Sequence, residues 1–352
     1  MKKHAIIPIF IPHLGCPEKC VFCDQRRITA RLRAPSEADV RATIDTWLST
    51  LGGLDPSEVE ISFYGGSFTG IPMEAQRRYL SIAKEYVDRG RAGAIHLSTR
   101  PDYIDERILD HLASFGVKTI ELGVQSFDDE VLAASDRGHD AETARRSCRL
   151  IRERGFALGI QLMIGLPCDS REKCLRSARE TVTLKPNVAR LYPTLILPDT
   201  PLYEQYLAGT YVPLTREEAV ATTAAMYRIL REARITIMRV GLKSTDRIGD
   251  SEISALNPGT WHPAFRQLVE GRIAREDAGA LLEEAARRTA EAAAPDARTK
   301  VDLFSAPSWF SNLIGNGGEN RRYFGERFPA LDIAYRIDKS LPAGSFRIDI
   351  KE

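Results

Sequence analysis

Residues 16–23 read CPEKCVFC and place three cysteines, Cys16, Cys20 and Cys23, within one short segment. Thiolates are strong ligands for iron, and four of them normally saturate a 4Fe–4S cluster. Three cysteines supply one ligand too few, so one iron would stay open to a ligand that the protein does not provide. Zinc is the alternative, but zinc loops favour C-x2-C pairs and need a fourth ligand, for which His13 is available. The spacing and the surrounding sequence favour the cluster.

Around this segment, apolar strand-like runs alternate with amphipathic helix-like runs up to about residue 240. Ser36 suits a helix N-cap, and Gly116 and Gly155 suit helix ends that need a left-handed residue. Repeated strand–helix units favour a parallel sheet with helices outside it. We predict an α/β fold, a partial or complete (βα)6 TIM-like barrel, with a doubly wound open sheet as the alternative. The six candidate strands and an additional seventh are 5–10, 59–64, 94–98, 118–123, 157–163, 188–192 and 235–240.

Unusual residues follow the carboxyl ends of these strands, where the loops of either architecture build the active site. The cysteine segment follows the first strand, and a Gly-Gly-Ser turn follows the second. The topology therefore collects the unusual chemistry at one rim of the sheet. The loops concerned are 16–23, 65–67, 99–101, 125–126, 165–167 and 193–194.

The composition is that of a globular protein, and 352 residues are enough for about two domains. The 49 basic and 48 acidic side chains nearly cancel, which excludes a global field that would steer the chain to nucleic acid or membrane. Lys2, Lys3 and the apolar stretch before Cys16 resemble a lipoprotein signal, but Pro8 and Pro12 interrupt that stretch. Six cysteines, of which three are crowded together, indicate a metal site in a reducing compartment. We expect a cytoplasmic protein without a membrane segment.

The cysteine segment, with Phe22 before its last cysteine, resembles the CxxxCxΦC loop of the radical S-adenosylmethionine (SAM) superfamily. The resemblance implies a 4Fe–4S cluster on Cys16, Cys20 and Cys23, whose open iron is chelated by the amino and carboxylate groups of SAM. It also implies an electron donor such as flavodoxin or ferredoxin. SAM would be cleaved reductively to a 5′-deoxyadenosyl radical that abstracts hydrogen from a substrate. The cofactors would supply this chemistry, and the protein would position and shield them.

Further motifs resemble the radical SAM half of the elongator complex catalytic subunit. These motifs are GGSFT at 65–69, STRPD at 98–102, GVQS at 123–126, RGH at 137–139 and LYPTL at 191–195. Oxygen-independent coproporphyrinogen oxidases share part of the pattern, but they typically have acidic residues near the positions of Ser98 and Gln161. The resemblance covers about 6–240. Acetyl transfer is not carried over, because no acetyltransferase domain is apparent in this sequence.

By this resemblance, the backbone of the glycine turn meets the amino group of SAM, and glycine permits that close approach. Arg137 would contact the SAM carboxylate, and Ser98 and Gln125 its ribose. Gln161 and Met163 would lie by the ribose and adenine. No residue is assigned a catalytic contact with the substrate. The implied SAM-binding residues are Phe22, Gly65, Gly66, Ser67, Ser98, Gln125, Arg137, Gln161 and Met163.

The predicted barrel domain spans 1–245, followed by a helical linker over 246–295 and a small α+β domain over 296–352. Within the last domain, 301–337 parses as strand, helix, GNGG, helix, strand. This order resembles the core of a KH domain, whose GxxG loop clamps a nucleic-acid backbone. The pattern is short, and the loop itself carries no basic residue. The candidate RNA-binding residues are Gly315, Asn316, Gly317, Gly318, Arg321 and Arg322.

Three functions are consistent with the sequence. The first is a radical SAM enzyme that acts on RNA, with tRNA as the partner; the second is a radical SAM enzyme that acts on a small molecule such as a tetrapyrrole precursor. The third is a noncatalytic RNA-binding protein with a structural cluster. The complete set of rim motifs favours catalysis, since a structural cluster would need neither the glycine turn nor Arg137.

Overall fold

The computed structural model of the chain describes residues 4–11, 15–16, 20–24, 33–242, 251–290 and 298–351. The chain forms two compact units, Met1–Pro263 and Ala264–Glu352. Within the described ranges, no helix has both the length and the apolar character needed to cross a membrane.

Seven parallel strands form the sheet of the first unit, and they pair in the order of the sequence. This order excludes the doubly wound alternative, in which the strand order reverses at a switch point. The first and last strands do not pair with each other, so the predicted TIM-like barrel is partial, and the seventh predicted strand is present. The strands are β1 (Ala5–Ile11), β2 (Val59–Gly65), β3 (Ala94–Thr99), β4 (Val117–Gln125), β5 (Ala157–Ile164), β6 (Val188–Pro193) and β7 (Thr236–Val240).

Helices connect the strands, as the alternating pattern predicts. Ser36 forms a capping box with Asp39, and Gly116 and Gly155 adopt the positive φ expected after helix ends. Right-handed crossovers between parallel strands place such helices on one face of the sheet. The helices of the first unit are α1 (Glu37–Thr50), α2 (Met73–Asp88), α3 (Glu106–Ser114), α4 (Asp129–Ala134), α5 (Ala141–Glu153), α6 (Arg171–Leu184), α7 (Pro201–Leu207), α8 (Arg216–Glu232) and α9 (Ser251–Leu256).

The two faces of the curled sheet differ in chemistry. One face is apolar and fully buried, with Ile61, Leu97 and Leu122 as examples. The other, inward face carries polar and charged side chains, among them His96 and Glu121. Side chains alternate between the faces of a strand, so the pattern within each strand decides which residues enter the interior of the barrel.

The second unit contains a three-stranded sheet whose middle strand, β8, pairs parallel with β9 and antiparallel with β10. Its order of elements includes the predicted strand, helix, GNGG turn, helix and strand. Its elements are α10 (Phe265–Ala290), β8 (Thr299–Ser305), α11 (Phe310–Ile314), α12 (Glu319–Arg327), β9 (Leu331–Ile337) and β10 (Phe346–Ile350).

The division into units differs from the sequence-based boundaries after residues 245 and 295. Helix α10 was expected within the linker over 246–295, but it belongs to the second unit. The reason is its apolar face: Ala278 and Leu282 are fully buried against Val301, Leu313 and Phe324. A helix that buries such a face is part of a core.

Candidate active site at the rim of the barrel

The cysteine segment is tied to two other loops of the rim. The backbone N–H of Val21 donates to the carbonyl of Ser135 at 3.2 Å, and the N–H of Leu202 donates to the carbonyl of Val21 at 2.8 Å. The side chains of Val21 and Phe22 pack in one apolar cluster with Leu202. These contacts connect the segment after β1 to the connections that follow β4 and β6. Phe22 therefore anchors the loop by packing.

Two arginines face two of the three cysteines. Arg137 donates from Nη1 to Sγ of Cys20 at 3.0 Å and from Nη2 to the carbonyl of Gly123. Arg100 donates from Nη1 to Sγ of Cys16 at 3.7 Å. Both arginines are buried, so their positive charges are only weakly screened at the sulfur atoms. The sequence analysis predicts that Arg137 binds the SAM carboxylate; the structure places it against a cysteine of the same rim.

Gln125 and Arg137, whose side chains both lie close to Gly123, each carry a buried polar atom without a partner among the described residues. Both atoms are buried: Oε1 of Gln125 accepts no hydrogen bond from a described residue, and Nε of Arg137 donates none to one. Gln125 ends β4 with a φ of +70°, next to an irregularity in the pairing with β5. Buried polar atoms are nearly always hydrogen-bonded, so the pair indicates a place for a polar ligand.

His139 lies next to this pair and is neutral at pH 7. Burial, together with the positive charges of Arg137 and Arg100, lowers the pKa of His139 to about 4. Its Nε2 lies 3.5 Å from Nη2 of Arg137. A neutral imidazole adds no positive charge to that of Arg137 and Arg100.

The glycine turn after β2 is required by close backbone packing. At Gly65, with a φ of +125°, a Cβ atom would lie 2.4 Å from the carbonyl oxygen of Ile11. The N–H of Gly66 donates to the same oxygen at 3.2 Å. The Ser67 hydroxyl bonds the Thr99 hydroxyl at 2.7 Å and accepts from the N–H of Arg100 at 3.1 Å. The side chain of Ser67 thus joins the loops after β2 and β3, while a backbone contact to SAM stays a prediction.

We expect Gly65→Ala to destabilise the protein by about 3 kcal/mol or more, because it adds a steric clash to a strained φ. Gly53→Ala is the matched control: its φ is also positive, at +83°, but no atom lies within 4 Å of the added Cβ. That control should lose about 1–2 kcal/mol. Urea unfolding at pH 7 measures both, and equal losses would contradict the steric explanation.

The other predicted SAM-binding residues lie on the inward face. Gln161 pairs in register with Gly123 and with Arg190, and Met163 pairs with Tyr192. Ser98, near the end of β3, is partly exposed, as are Gln161 and Met163. Ser98 and Gln161 make no side-chain hydrogen bond within the described part of the chain. These side chains are therefore available to a ligand in the interior of the barrel.

A buried ionic network fills the interior below these residues, and sequence analysis did not find it. His96 contacts two carboxylates, with Nδ1 3.0 Å from Glu60 and Nε2 3.2 Å from Glu121. Arg190 donates from Nε to the second oxygen of Glu121 and from Nη2 to the Tyr64 hydroxyl at 2.7 Å. The network spans β2, β3, β4 and β6, and crosses β5.

Gly159 makes this crossing possible. A Cβ atom at Gly159 would lie 2.3 Å from Cγ of Glu121, so the missing side chain leaves room for Glu121 to meet Arg190 across β5. Although burial opposes its charged form, hydrogen bonds to Glu121 and Glu60 raise the pKa of His96 above its ordinary value. Burial also opposes the charge of Glu121, but His96 and Arg190 hold the pKa of that carboxyl below its ordinary value. Both groups are therefore charged near pH 6.

Among the described residues, no three side chains of His, Cys, Asp or Glu converge as ligands of a single metal ion. His13, the proposed fourth zinc ligand, lies outside the described residues.

The predicted RNA-binding residues belong to the second unit. Gly317 is exposed with a φ of +57°, and Gly318 has a φ of +76°. Gly315 is buried, and a Cβ atom there would lie 2.7 Å from the backbone nitrogen of Asn320. Arg322 donates to the carbonyl of Gly317 at 2.7 Å. Arg321 lies over the ring of Tyr335.

Two family models match the chain. The model of the radical SAM superfamily matches residues 10–180, and the model of the radical SAM C-terminal domain matches residues 186–275. The chain belongs to the radical SAM superfamily. Members of that superfamily bind a 4Fe–4S cluster and SAM, which are therefore the cofactors of this chain.

The chain is similar to tRNA uridine(34) acetyltransferases and to Elongator complex protein 3. The chain is 25% identical over 291 residues to the tRNA uridine(34) acetyltransferase of Methanocaldococcus infernus, covering 69% of this chain and 54% of that protein. It is 24% identical over 317 residues to human Elongator complex protein 3, covering 79% of this chain and 54% of that protein. The chain thus spans about half the length of these curated relatives.

A solved structure of archaeal Elp3 from Methanocaldococcus infernus, lacking residues 1–46, shares the fold. The TM-score is 0.56 and the identity 22%, covering 69% of this chain and 61% of that chain. The partial barrel described above is therefore the radical SAM fold.

The residues present at the rim fit the two cofactors. Cys16, Cys20 and Cys23 would supply thiolates, the soft donors that an iron–sulfur cluster requires. The buried, unsatisfied atoms of Gln125 and Arg137 would supply an acceptor and a donor for a polar ligand, and Arg137 also contacts Cys20.

Proposed function

We propose that this radical SAM protein is an RNA-modifying enzyme that takes a hydrogen atom from its substrate, with tRNA as that substrate. Cys16, Cys20 and Cys23 hold the 4Fe–4S cluster. The observation that carries the chemistry is the contact of buried Arg137 with Cys20, together with the unsatisfied polar atoms beside it. When bound, the cluster and SAM together supply a 5′-deoxyadenosyl radical for hydrogen abstraction. A flavodoxin or ferredoxin of the cytoplasm supplies the electron.

The residues of the chain bind and enclose these reactants. Arg137 and Gln125 would offer hydrogen bonds to the polar groups of SAM, and Ser98, Gln161 and Met163 would lie by its ribose and adenine. The contacts of Glu121 with His96 and Arg190 fix the polar groups that line this interior. An enclosed site of this kind protects a reactive intermediate by keeping out water and stray hydrogen donors.

The test of the chemistry is anaerobic reconstitution of the full chain with iron and sulfide, followed by dithionite and SAM. We expect formation of 5′-deoxyadenosine, measured by chromatography. A reconstituted protein that holds a cluster but releases no 5′-deoxyadenosine would favour the noncatalytic alternative.

Two observations support RNA as the substrate. The curated relatives named above include tRNA-modifying enzymes. The second unit has the order strand, helix, GNGG, helix, strand, with the exposed Gly317 at the tip. Exposed Arg321 and Arg322 lie on the first turn of the following helix, where basic side chains would strengthen binding of a phosphate backbone.

We expect Gly317→Asp to weaken tRNA binding about tenfold, which corresponds to about 1.4 kcal/mol, because it places a carboxylate where a phosphate would lie. Gly317→Asn is the matched control. It has nearly the same shape without the charge, and both residues tolerate the left-handed conformation of this position. Filter binding at fixed ionic strength measures the tRNA affinity of both variants. Equal affinities would show that the GNGG loop does not contact the RNA.

A further inference from the structure

Arg100 is held in one orientation by a set of contacts around its guanidinium group. Nε and Nη2 donate to the two carboxylate oxygens of Asp102 at 2.9 and 2.8 Å. The guanidinium also lies 5.6 Å from the centre of the Tyr103 ring. The side chain is only 4% exposed. With Nε and Nη2 occupied by Asp102, Nη1 remains for Sγ of Cys16, 3.7 Å away.

The backbone beneath Arg100 is also fixed. Its N–H donates to the Ser67 hydroxyl at 3.1 Å, and Ser67 in turn bonds Thr99. The Thr69 hydroxyl bonds the same Thr99 hydroxyl at 2.6 Å. On the other side, the Ser147 hydroxyl donates to the carbonyl of Pro101 at 2.7 Å. These contacts hold both the side chain and the backbone of Arg100 in one position at the rim.

Reduction adds one negative charge to an iron–sulfur cluster, and hydrogen bonds to its sulfur ligands help to set its potential. A guanidinium group at a ligating sulfur stabilises the added charge. The effect is large when the cation is buried, because the local dielectric is low. Asp102 binds the Nε and Nη2 edge of the guanidinium, whereas Sγ of Cys16 faces Nη1, so the cation is the nearer of the two groups to the sulfur.

We propose that Arg100, fixed by Asp102, is a positioning residue that raises the reduction potential of the cluster through Cys16. The proposal rests on the proposed function only in that the cysteine segment holds the cluster. It concerns neither the RNA nor the cleavage of SAM.

The test is a redox titration of the reconstituted full chain without SAM, followed by electron paramagnetic resonance of the reduced cluster. In Arg100→Gln we expect the ratio of reduced to oxidised cluster at a given potential to fall about tenfold, which is a midpoint about 59 mV lower for a one-electron couple. Arg107→Gln, which removes the same charge from an exposed position of α3, should titrate like the wild type.

A second variant covers the case in which Arg100→Gln leaves Asp102 unpaired and takes up no cluster. The double variant Arg100→Gln, Asp102→Asn keeps an uncharged hydrogen-bonded pair, and its midpoint should also fall, but by less than that of the single variant. Midpoints of the cluster-containing variants equal to that of Arg107→Gln would overturn the proposal. A wild-type chain that takes up no cluster would instead contradict the proposed function, and the tuning role with it.

Discussion

Cys20→Ser is expected to abolish formation of 5′-deoxyadenosine. The loss should be at least about 100-fold, because losing even an outer-shell partner of a metal site costs up to that much, and Cys20 is proposed as a direct ligand. Serine presents a hard oxygen to soft iron and would leave the cluster with two thiolates from the protein. Cys20 is buried, and its sulfur accepts the hydrogen bond from Arg137. The measurement is chromatography of 5′-deoxyadenosine after anaerobic reconstitution, together with the iron content.

The matched control is Cys168→Ser, the same substitution at an exposed cysteine before α6. It should retain wild-type iron content and product. Far-UV circular dichroism of both variants separates loss of the cluster from loss of the fold. If Cys20→Ser formed as much product as the wild type, Cys20 would not be a ligand of the cluster. If Cys168→Ser lost the product, Cys168 would be a candidate ligand.

Local patterns were sufficient to predict the barrel. Apolar runs bounded by turn residues located all seven strands, and Ser36, Gly116 and Gly155 marked helix ends by their capping preferences. The rim followed from topology alone, because parallel strands bring their carboxyl ends to one edge. The predicted cysteine segment follows β1 and, by its contacts, is part of that rim.

Long-range partners could not be predicted in the same way. The pairing of Glu121 with Arg190 depends on the absence of a side chain at Gly159, on a strand between them, and no local pattern reports such a coincidence. A weak signal was present, since Glu121 stands between the apolar residues Ile120 and Leu122 in β4. The contacts of Arg100 and Arg137 with cysteines more than 80 residues away have no local signal.

The assignment of helix α10 to a unit was difficult for a different reason. Its Ala/Glu/Arg-rich sequence is typical of an exposed helix, and its core-facing residues include the small side chains of Ala278 and Ala285. Small side chains give a weak amphipathic signal, although they allow close packing. The sequence therefore predicts the helix itself better than the unit to which it belongs.

Glu121→Gln is expected to lower the free energy of unfolding by about 3–5 kcal/mol, the cost of removing one partner of a buried ion pair. Glu121 is fully buried and bonds both His96 and Arg190. Glutamine can accept from only one of them through its single amide oxygen, and it leaves the Arg190 charge without a buried counter-charge. Urea unfolding followed by far-UV circular dichroism measures the loss at pH 6.

The size of this loss should depend on pH. The pKa of Glu121 is lowered, so its stabilising charge is present above the ordinary value of 4.5 and is lost as the pH falls through the folded value. The pKa of His96 is raised, so its contribution is present below 6.5 and is lost as the pH rises through the folded value. The difference in the free energy of unfolding between wild type and Glu121→Gln should therefore be largest between pH 4.5 and 6.5. It should become smaller at lower and at higher pH. A residual difference should remain at high pH, because Arg190 keeps its charge.

Glu142→Gln is the control for the loss of a carboxylate. Glu142 also pairs with two arginines, Arg145 and Arg149, but its side chain is 64% exposed. Its substitution should lower the free energy of unfolding far less than Glu121→Gln does, since exposed pairs are solvated and screened. If Glu121→Gln cost no more than Glu142→Gln at pH 6, the buried network would contribute no more than a surface pair.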